Sequence, residues 1–256
     1  MHSLRDRVVF ITGASSGIGR SCARAFAAQG ARLILAARRA ERLEEIAAGL
    51  KTEHGPAILV LKLDVRDPEA VTAAVAGLTV EWAAIEVLVN NAGLSRGLDK
   101  LQEGKLDDWE EMIDTNVKGL LYVSRAVLPG MIERGRGHVI NIGSIAGREV
   151  YPGGNVYCAT KFAVSALTKS MRRDLNGTGI RVSTVDPGLT ETEFSVVRFH
   201  GDEERAGKVY QGYTPLAPED IADAVVYCAT RPMHVDVAEM LVLPTDQAST
   251  MMIHRK

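Results

Sequence analysis

Short, almost wholly apolar runs alternate along the chain with longer segments of helical period. The runs fall at 7–12, 32–37, 57–62, 87–90, 138–142, 181–185 and 239–243. Uninterrupted hydrophobicity over so few residues is what a strand needs when both of its faces are covered, because alternate side chains then point into two helix layers rather than one layer and solvent. Between the runs, apolar positions recur at helical spacing over 18–29, 40–50, 68–78, 107–128, 156–175 and 219–229. Such alternation predicts right-handed crossovers, hence an α/β fold: a Rossmann-like doubly wound parallel sheet of about seven strands with helices on both faces. No linker-like, repetitive or low-complexity tract interrupts the 256 residues, so the expectation is one catalytic domain over 1–256. The least periodic stretch, about 189–213, reads as a substrate lid, since a connection that long in a compact domain is more often functional than passive.

Composition narrows the partners. Lys and Arg total 30 against 32 Asp and Glu, a net charge of -2 with no run of like charges, which argues against nucleic acid. Cys22, Cys158 and Cys228 are odd in number and far apart, with no CxxC or Cys/His metal spacing, as suits a reducing cytosol and no bound metal. A strand-like run begins within about seven residues of the N-terminus, leaving no room for a signal peptide, and no apolar stretch approaches the roughly 18 residues of a membrane span. The expectation is a soluble cytoplasmic protein.

The candidate chemistry follows the strands. Thr12-Gly-Ala-Ser-Ser-Gly-Ile-Gly19 lies between the first strand and the first helix. Gly13, Gly17 and Gly19 allow a tight turn and close approach of a pyrophosphate to the helix N-terminus, with Ser15, Ser16 and Ile18 in the same turn. The second strand ends Ala36-Ala37-Arg38-Arg39. An NAD enzyme offers an acid to the ribose 2'-hydroxyl at this place; two guanidinium groups suit a 2'-phosphate, so the cofactor read here is NADP. Ser144 follows the fifth strand, and Tyr157 and Lys161 stand one turn apart at the start of the next helix. A free phenol, with a pKa of about 10, is a poor base at neutrality, and a nearby ammonium favours its ionised form. The three divide into a polarising hydroxyl, an acid/base and an electrostatic tuner.

Together these motifs resemble the short-chain dehydrogenase/reductase family over the whole chain. The match is carried by Thr12 to Gly19, Asp64-Val65, Asn90-Asn-Ala-Gly93, Asn116, Ser144, Tyr157 to Lys161, and Pro187-Gly188 with Leu189, Thr190 and Thr192 beyond. The resemblance implies an oxidoreductase that interconverts alcohol and carbonyl with Asn116, Ser144, Tyr157 and Lys161 as the catalytic set. It also implies that Asp64-Val65 meets the adenine, that Asn91, Ala92 and Gly93 line the nucleotide site, that Tyr157 and Lys161 touch the nicotinamide ribose, and that the backbone after Pro187 meets the carboxamide. Asn116 would hold a water that links Lys161 to solvent. The segments 153–157, 192–195, 197–202 and 253–255 are similar to those of the NADP-dependent 3-hydroxy acid dehydrogenases, which act on serine, allo-threonine and 3-hydroxyisobutyrate-like acids and reduce malonic semialdehyde. An acid of that kind needs a cation for its carboxylate, and Arg148 and Arg198 are the candidates beside Ser144 and Tyr157. A carbonyl reductase acting on 3-oxoacyl thioesters, sugars or ring ketones is the alternative within the family, and a non-catalytic dinucleotide sensor the alternative outside catalysis. The family implies a homotetramer built partly from the helices at 107–128 and 156–175.

Overall fold

The computed structural model describes residues 2–256. Among the described residues seven strands, β1 (Val8–Thr12), β2 (Arg32–Ala37), β3 (Ile58–Lys62), β4 (Ile85–Asn90), β5 (Gly137–Ile142), β6 (Ile180–Pro187) and β7 (Glu239–Val242), form one parallel sheet in the order β3-β2-β1-β4-β5-β6-β7. Every apolar run is a strand, and the doubly wound expectation holds.

The sheet divides the core in two, and its strands show why their sequences lack polar alternation. In β1, Val9 and Ile11 pack with Phe26 of α1 (Gly17–Ala28), Leu43 of α2 (Ala40–His54) and Val225 of α10 (Pro218–Ala229). Val8 and Phe10 point the other way, toward Val71 of α3 (Pro68–Ala76), Val127 of α6 (Leu120–Glu133) and Val164 of α7 (Asn155–Asp174). Each of these buried side chains removes apolar surface from water, contributing about 2 kcal/mol.

Three stretches depart from the periodicity. The helix expected over 107–128 is α5 (Leu106–Ile113), a single π-helical turn at Asp114–Gly119, and α6, which continues past Pro129 to Glu133. A proline ordinarily ends a helix, but packing of Val127 and Met131 on the sheet carries α6 through it. A four-residue helix, α4 (Val80–Ala83), was not marked by any apolar period. The least periodic stretch, 189–213, contains α8 (Phe194–Arg198) and α9 (Glu203–Lys208), the latter capped by the Asp202 carboxylate on the Arg205 amide at 2.9 Å. The C-terminal tail returns to it, with the Lys256 amide donating to Gly212 O at 2.7 Å. Among the described residues no helix is long and apolar enough to cross a membrane.

Strand order reverses between β1 and β4, opening a crevice at the C-terminal ends of the strands where a parallel α/β sheet binds ligands. The loops after β1 to β6 carry nearly every chemistry-bearing residue read from the sequence, so topology alone gathers them.

Candidate active site

The crevice is a cleft of about 800 Å³. One end is the glycine-rich turn. Gly13 adopts φ +63°, and a Cβ there would lie 2.9 Å from Ala92 Cα. Gly19 stands behind the turn, where a Cβ would sit 2.4 Å from Gly13 O, so it shapes the turn without lining the cleft. The Asn-Asn-Ala-Gly stretch clamps this turn from β4. Thr12 Oγ1 accepts from the Asn91 and Ala92 amides at 3.1 and 3.0 Å, and Asn91 Nδ2 donates to Thr12 O at 2.9 Å and Gly13 O at 3.1 Å. Asn90 lies opposite Asn141 in the sheet and donates to its Oδ1 at 2.9 Å.

Helix α1 has no side-chain cap and no acid in its first turn, whereas Asp67 caps α3 through two amides. The first amides of α1 and its positive dipole end therefore face the cleft unneutralised, which fits a pyrophosphate. The residues read as cofactor contacts all line this cleft apart from Gly19: Ser15, Ser16, Gly17 and Ile18 in the turn, Asp64 and Val65 after β3, and Pro187 to Thr190 with Thr192 after β6. Asp64 is clasped by Arg66, whose hydrogen bonds hold its carboxyl below the usual range. Arg38 and Arg39 lie beside the turn. Arg39 donates to Ser15 Oγ at 3.2 Å and Ser16 Oγ at 3.0 Å, so its guanidinium is anchored beside the glycine-rich turn. The donor set fits an NADP nucleotide.

Three of the four residues read as catalytic lie together at the other end. Ser144, Tyr157 and Lys161 are each 8% exposed and line the same cleft. Lys161 Nζ donates to Ile142 O at 2.9 Å and lies 6.0 Å from the centre of the Tyr157 ring. Burial lowers the Lys161 ammonium to about 8, against partial support from Asp186. For Tyr157 the direction is opposite to that wanted of a base: burial pushes the phenol above its ordinary value, and the Arg198 cation and a hydrogen bond with Ser144 only partly offset it. Asn116 occupies the π-helical turn, a distortion that recurs at functional sites. Its Oδ1 accepts from the Leu94 amide at 2.8 Å and its Nδ2 donates to Leu94 O at 2.8 Å and Thr160 Oγ1 at 3.0 Å. Asn116 does not line the cleft; it ties the loop after β4 to α7. Cys158 is a buried thiol whose ionisation burial opposes, so it fills space beside Tyr157.

The two arginines proposed for a substrate acid part company. Arg148 does not reach the cleft lining: its Nε donates to Asp186 Oδ2 at 2.8 Å and its Nη2 to Glu239 Oε2 at 3.0 Å, so two carboxylates already neutralise it. This corrects its place among the substrate contacts. Arg198 lines the cleft at 9% exposure, donating to Ser95 Oγ at 3.1 Å and Tyr151 Oη at 3.0 Å. Its guanidinium carbon lies 5.3 Å from the Tyr157 ring centre and 5.0 Å from that of Phe194. Among the described residues no carboxylate comes within 4.0 Å of it.

Residues 7–202 match the family model for short chain dehydrogenases. The chain belongs to that family. It is 49% identical over 250 residues to the NADP-dependent 3-hydroxy acid dehydrogenase YdfG of Salmonella typhi, covering 97% of this chain and 99% of that one. It is 47% identical to sulfoacetaldehyde reductase 2 of Chromohalobacter salexigens, covering 94% of this chain and 95% of that one. A solved serine dehydrogenase in its closed form, complexed with NADP+, superposes with a TM-score of 0.91 at 46% identity, covering 97% of this chain and 100% of that one. The oxidoreductase and NADP readings of the sequence agree with these names.

Several residues of the cleft carried no signal in the sequence. Ser95, Arg96 and Tyr151 lie in loops, and a polar side chain there reads as solvated until the fold turns it inward. Gln247, near the C-terminus, accepts from the Leu189 amide at 2.8 Å and so fixes the backbone after Pro187. Glu193 joins the 189–213 stretch to Arg39 at 3.0 Å and Arg42 at 2.7 Å. Only spatial neighbours reveal these roles.

Proposed function

We infer that this chain is an NADP-dependent dehydrogenase of short 3-hydroxy acids, of the serine, allo-threonine or 3-hydroxyisobutyrate kind, and reduces the corresponding 3-oxo acids such as malonic semialdehyde. One observation carries the acid: a buried guanidinium without a carboxylate partner, Arg198, stands over the ring of Tyr157. A carboxylate held by its fork would bring a hydroxyl two carbons away toward the phenol and Ser144. The names of the relatives support the same class.

NADP, when bound, supplies the hydride acceptor, its nucleotide held by the glycine-rich turn, Arg38 and Arg39, and its ribose by Tyr157 and Lys161. Ser144 donates a hydrogen bond to the reacting oxygen. In the oxidative direction Tyr157 Oη takes the hydroxyl proton, and in reduction it returns one to the forming alkoxide. Lys161, held by Ile142 O, offers positive charge beside that phenol. Asn116, in the π-helical turn, would hold a water that links Lys161 to solvent. Closure of 189–213 excludes water from the step. The three buried free cysteines support a reducing cytoplasm. The exposed apolar Leu106, Ile113, Leu121 and Phe162 support a homotetramer assembled through α5, α6 and α7.

The sulfoacetaldehyde reductase relative favours a second substrate class with the same requirement, a short aldehyde bearing a sulfonate in place of the carboxylate. A panel of 3-hydroxy acids, sulfonates, sugars and ring alcohols, assayed with NADP and with NAD, tests both. Turnover confined to uncharged alcohols refutes them.

A further inference from the structure

The lid helix α8 is attached at both ends to the arginines beside the glycine-rich turn. Glu193, the residue before α8, receives Arg39 Nη1 at 3.0 Å and Arg42 Nη1 at 2.7 Å. At the other end Arg96 donates to Val197 O at 2.6 Å and to Glu111 Oε2 at 2.7 Å, and Glu111 also faces Arg38 at 3.7 Å. Between these ties α8 carries Phe194, whose ring centre is 5.5 Å from that of Tyr157, and Arg198. The ribose end of the cleft and the substrate end are thus joined by two chains of charged side chains that reach one five-residue helix, one through the Glu193 carboxylate and one through the Val197 carbonyl.

We propose that Glu193 is a displaceable latch: its carboxylate occupies on Arg39 the position that a 2'-phosphate takes, so that NADP exchanges Glu193 off Arg39 and thereby shifts α8 and Arg198. The proposal rests on the reading of Arg39 as a 2'-phosphate partner. Three features support it. Arg39 keeps Ser15 and Ser16 whichever anion it meets, so it does not have to move. Arg42 holds Glu193 through both oxygens, at 2.7 and 3.0 Å, and retains it after the exchange, so no charge is stranded. The three side chains are 43%, 47% and 46% exposed, and an ion pair in such a setting is weak enough to be replaced by a dianion. Arg39 and Arg42 share the single Glu193 carboxylate, which leaves one net positive charge beside the turn for a 2'-phosphate. NAD, lacking the phosphate, leaves the latch shut. Glu193 is in this scheme a positioning residue that sets cofactor selectivity and couples it to the substrate end.

The test is equilibrium binding of NADP+, NAD+ and 2',5'-ADP to the full chain and to its Glu193→Gln, Glu193→Asp and Arg39→Gln variants, with amide hydrogen exchange of 194–199 as a second readout. Glu193→Gln should tighten NADP+ and 2',5'-ADP by about fivefold, leave NAD+ within a factor of about two, and Glu193→Asp should restore much of the difference. In the parent chain 2',5'-ADP should change exchange over 194–199, and in Glu193→Gln it should not. Weaker or unchanged NADP+ binding in Glu193→Gln overturns the latch, as does exchange in the parent that ignores 2',5'-ADP. If Arg39→Gln loses NADP+ and NAD+ equally, the 2'-phosphate reading itself fails and the latch falls with it; selective loss of NADP+ keeps that reading whatever Glu193 does.

Discussion

Replacement of Arg198 by methionine separates a substrate-binding cation from a structural one. Arg198 uses two of its five N–H donors on Ser95 and Tyr151, so three remain for a substrate. At 9% exposure little solvent screens them. Removing the cationic half of a buried, hydrogen-bonded charge pair costs about 2 to 5 kcal/mol. Taking about 3 kcal/mol, kcat/KM for a 3-hydroxy acid should fall about 150-fold. The methyl ester of the same acid presents no charge to the guanidinium and should lose about fivefold, one neutral hydrogen bond. Arg198 also stands over the Tyr157 ring and helps to lower its phenol, but that effect acts on the reacting oxygen of both compounds and cancels in their ratio. The measurement is therefore the acid-to-ester ratio of kcat/KM, with NADPH affinity and thermal midpoint as checks on folding. An expected drop in that ratio of about thirtyfold supports a carboxylate on Arg198. Equal losses for acid and ester refute it.

Three further outcomes are expected. Tyr157→Phe should abolish turnover in both directions with NADPH affinity within about threefold of the parent, because the phenol gives the nucleotide one ribose contact while the glycine-rich turn, Arg38, Arg39 and Lys161 keep the rest; residual activity of a few per cent or more sinks the acid/base role. Gly19→Ala places a Cβ against Gly13 O and Asn91 Nδ2, at 2.4 and 2.5 Å, and should lower stability by about 3 kcal/mol together with nucleotide affinity, which thermal denaturation with and without NADP+ reports. Lys161, lowered to about 8 by burial, binds its proton less tightly in the native chain than in the unfolded one, whose lysines titrate at about 10.4. Below pH 8 both states are protonated and the penalty is complete; across pH 8 to 10.4 the unfolded state holds the extra proton, so native stability relative to Lys161→Met should rise by up to about 3 kcal/mol. Denaturant unfolding of both proteins at pH 7 and pH 10 checks this, and a constant difference contradicts it.

Strands and cleft residues were legible because their signals are local. A run such as Val8–Thr12 reports burial on both faces from its own composition, and a motif placed directly after a strand must lie at the sheet's C-terminal edge. What sequence could not supply was the partner across the fold. Arg148 and Arg198 look alike as isolated cations near cleft segments. The fate of Arg148 is decided by Asp186, 38 residues away, and Glu239, 91 residues away. The place of Arg198 is decided by Ser95, 103 residues away. Glu193 went unmarked for the same reason, its partner Arg39 being 154 residues distant. The π-helical turn at Asn116 was hidden because one added residue in a helix barely changes an apolar period, and α6 outran its expected end because packing outweighed Pro129.

Tyr157 shows most clearly how the fold alters what a residue pattern suggests. A phenol beside a lysine suggests a lowered pKa, yet the same enclosure that brings Lys161 and Arg198 near Tyr157 also strips water from it, and the net direction is upward. Lys161 responds in the complementary sense, losing affinity for its proton and falling to about 8. Both shifts have one cause: each group is driven toward its neutral form by burial. The chain's own residues therefore leave the phenol protonated and able to donate to a carbonyl oxygen. Deprotonation in the oxidative direction is helped by cations beside the phenol: the Ile142 carbonyl under Lys161 favours its charged form, and the Arg198 guanidinium stands over the same ring. In the proposed reaction, a lid that carries Arg198 on α8 would supply part of the acid/base chemistry as well as a hold on the substrate, so that proton transfer and substrate binding would respond to the same element.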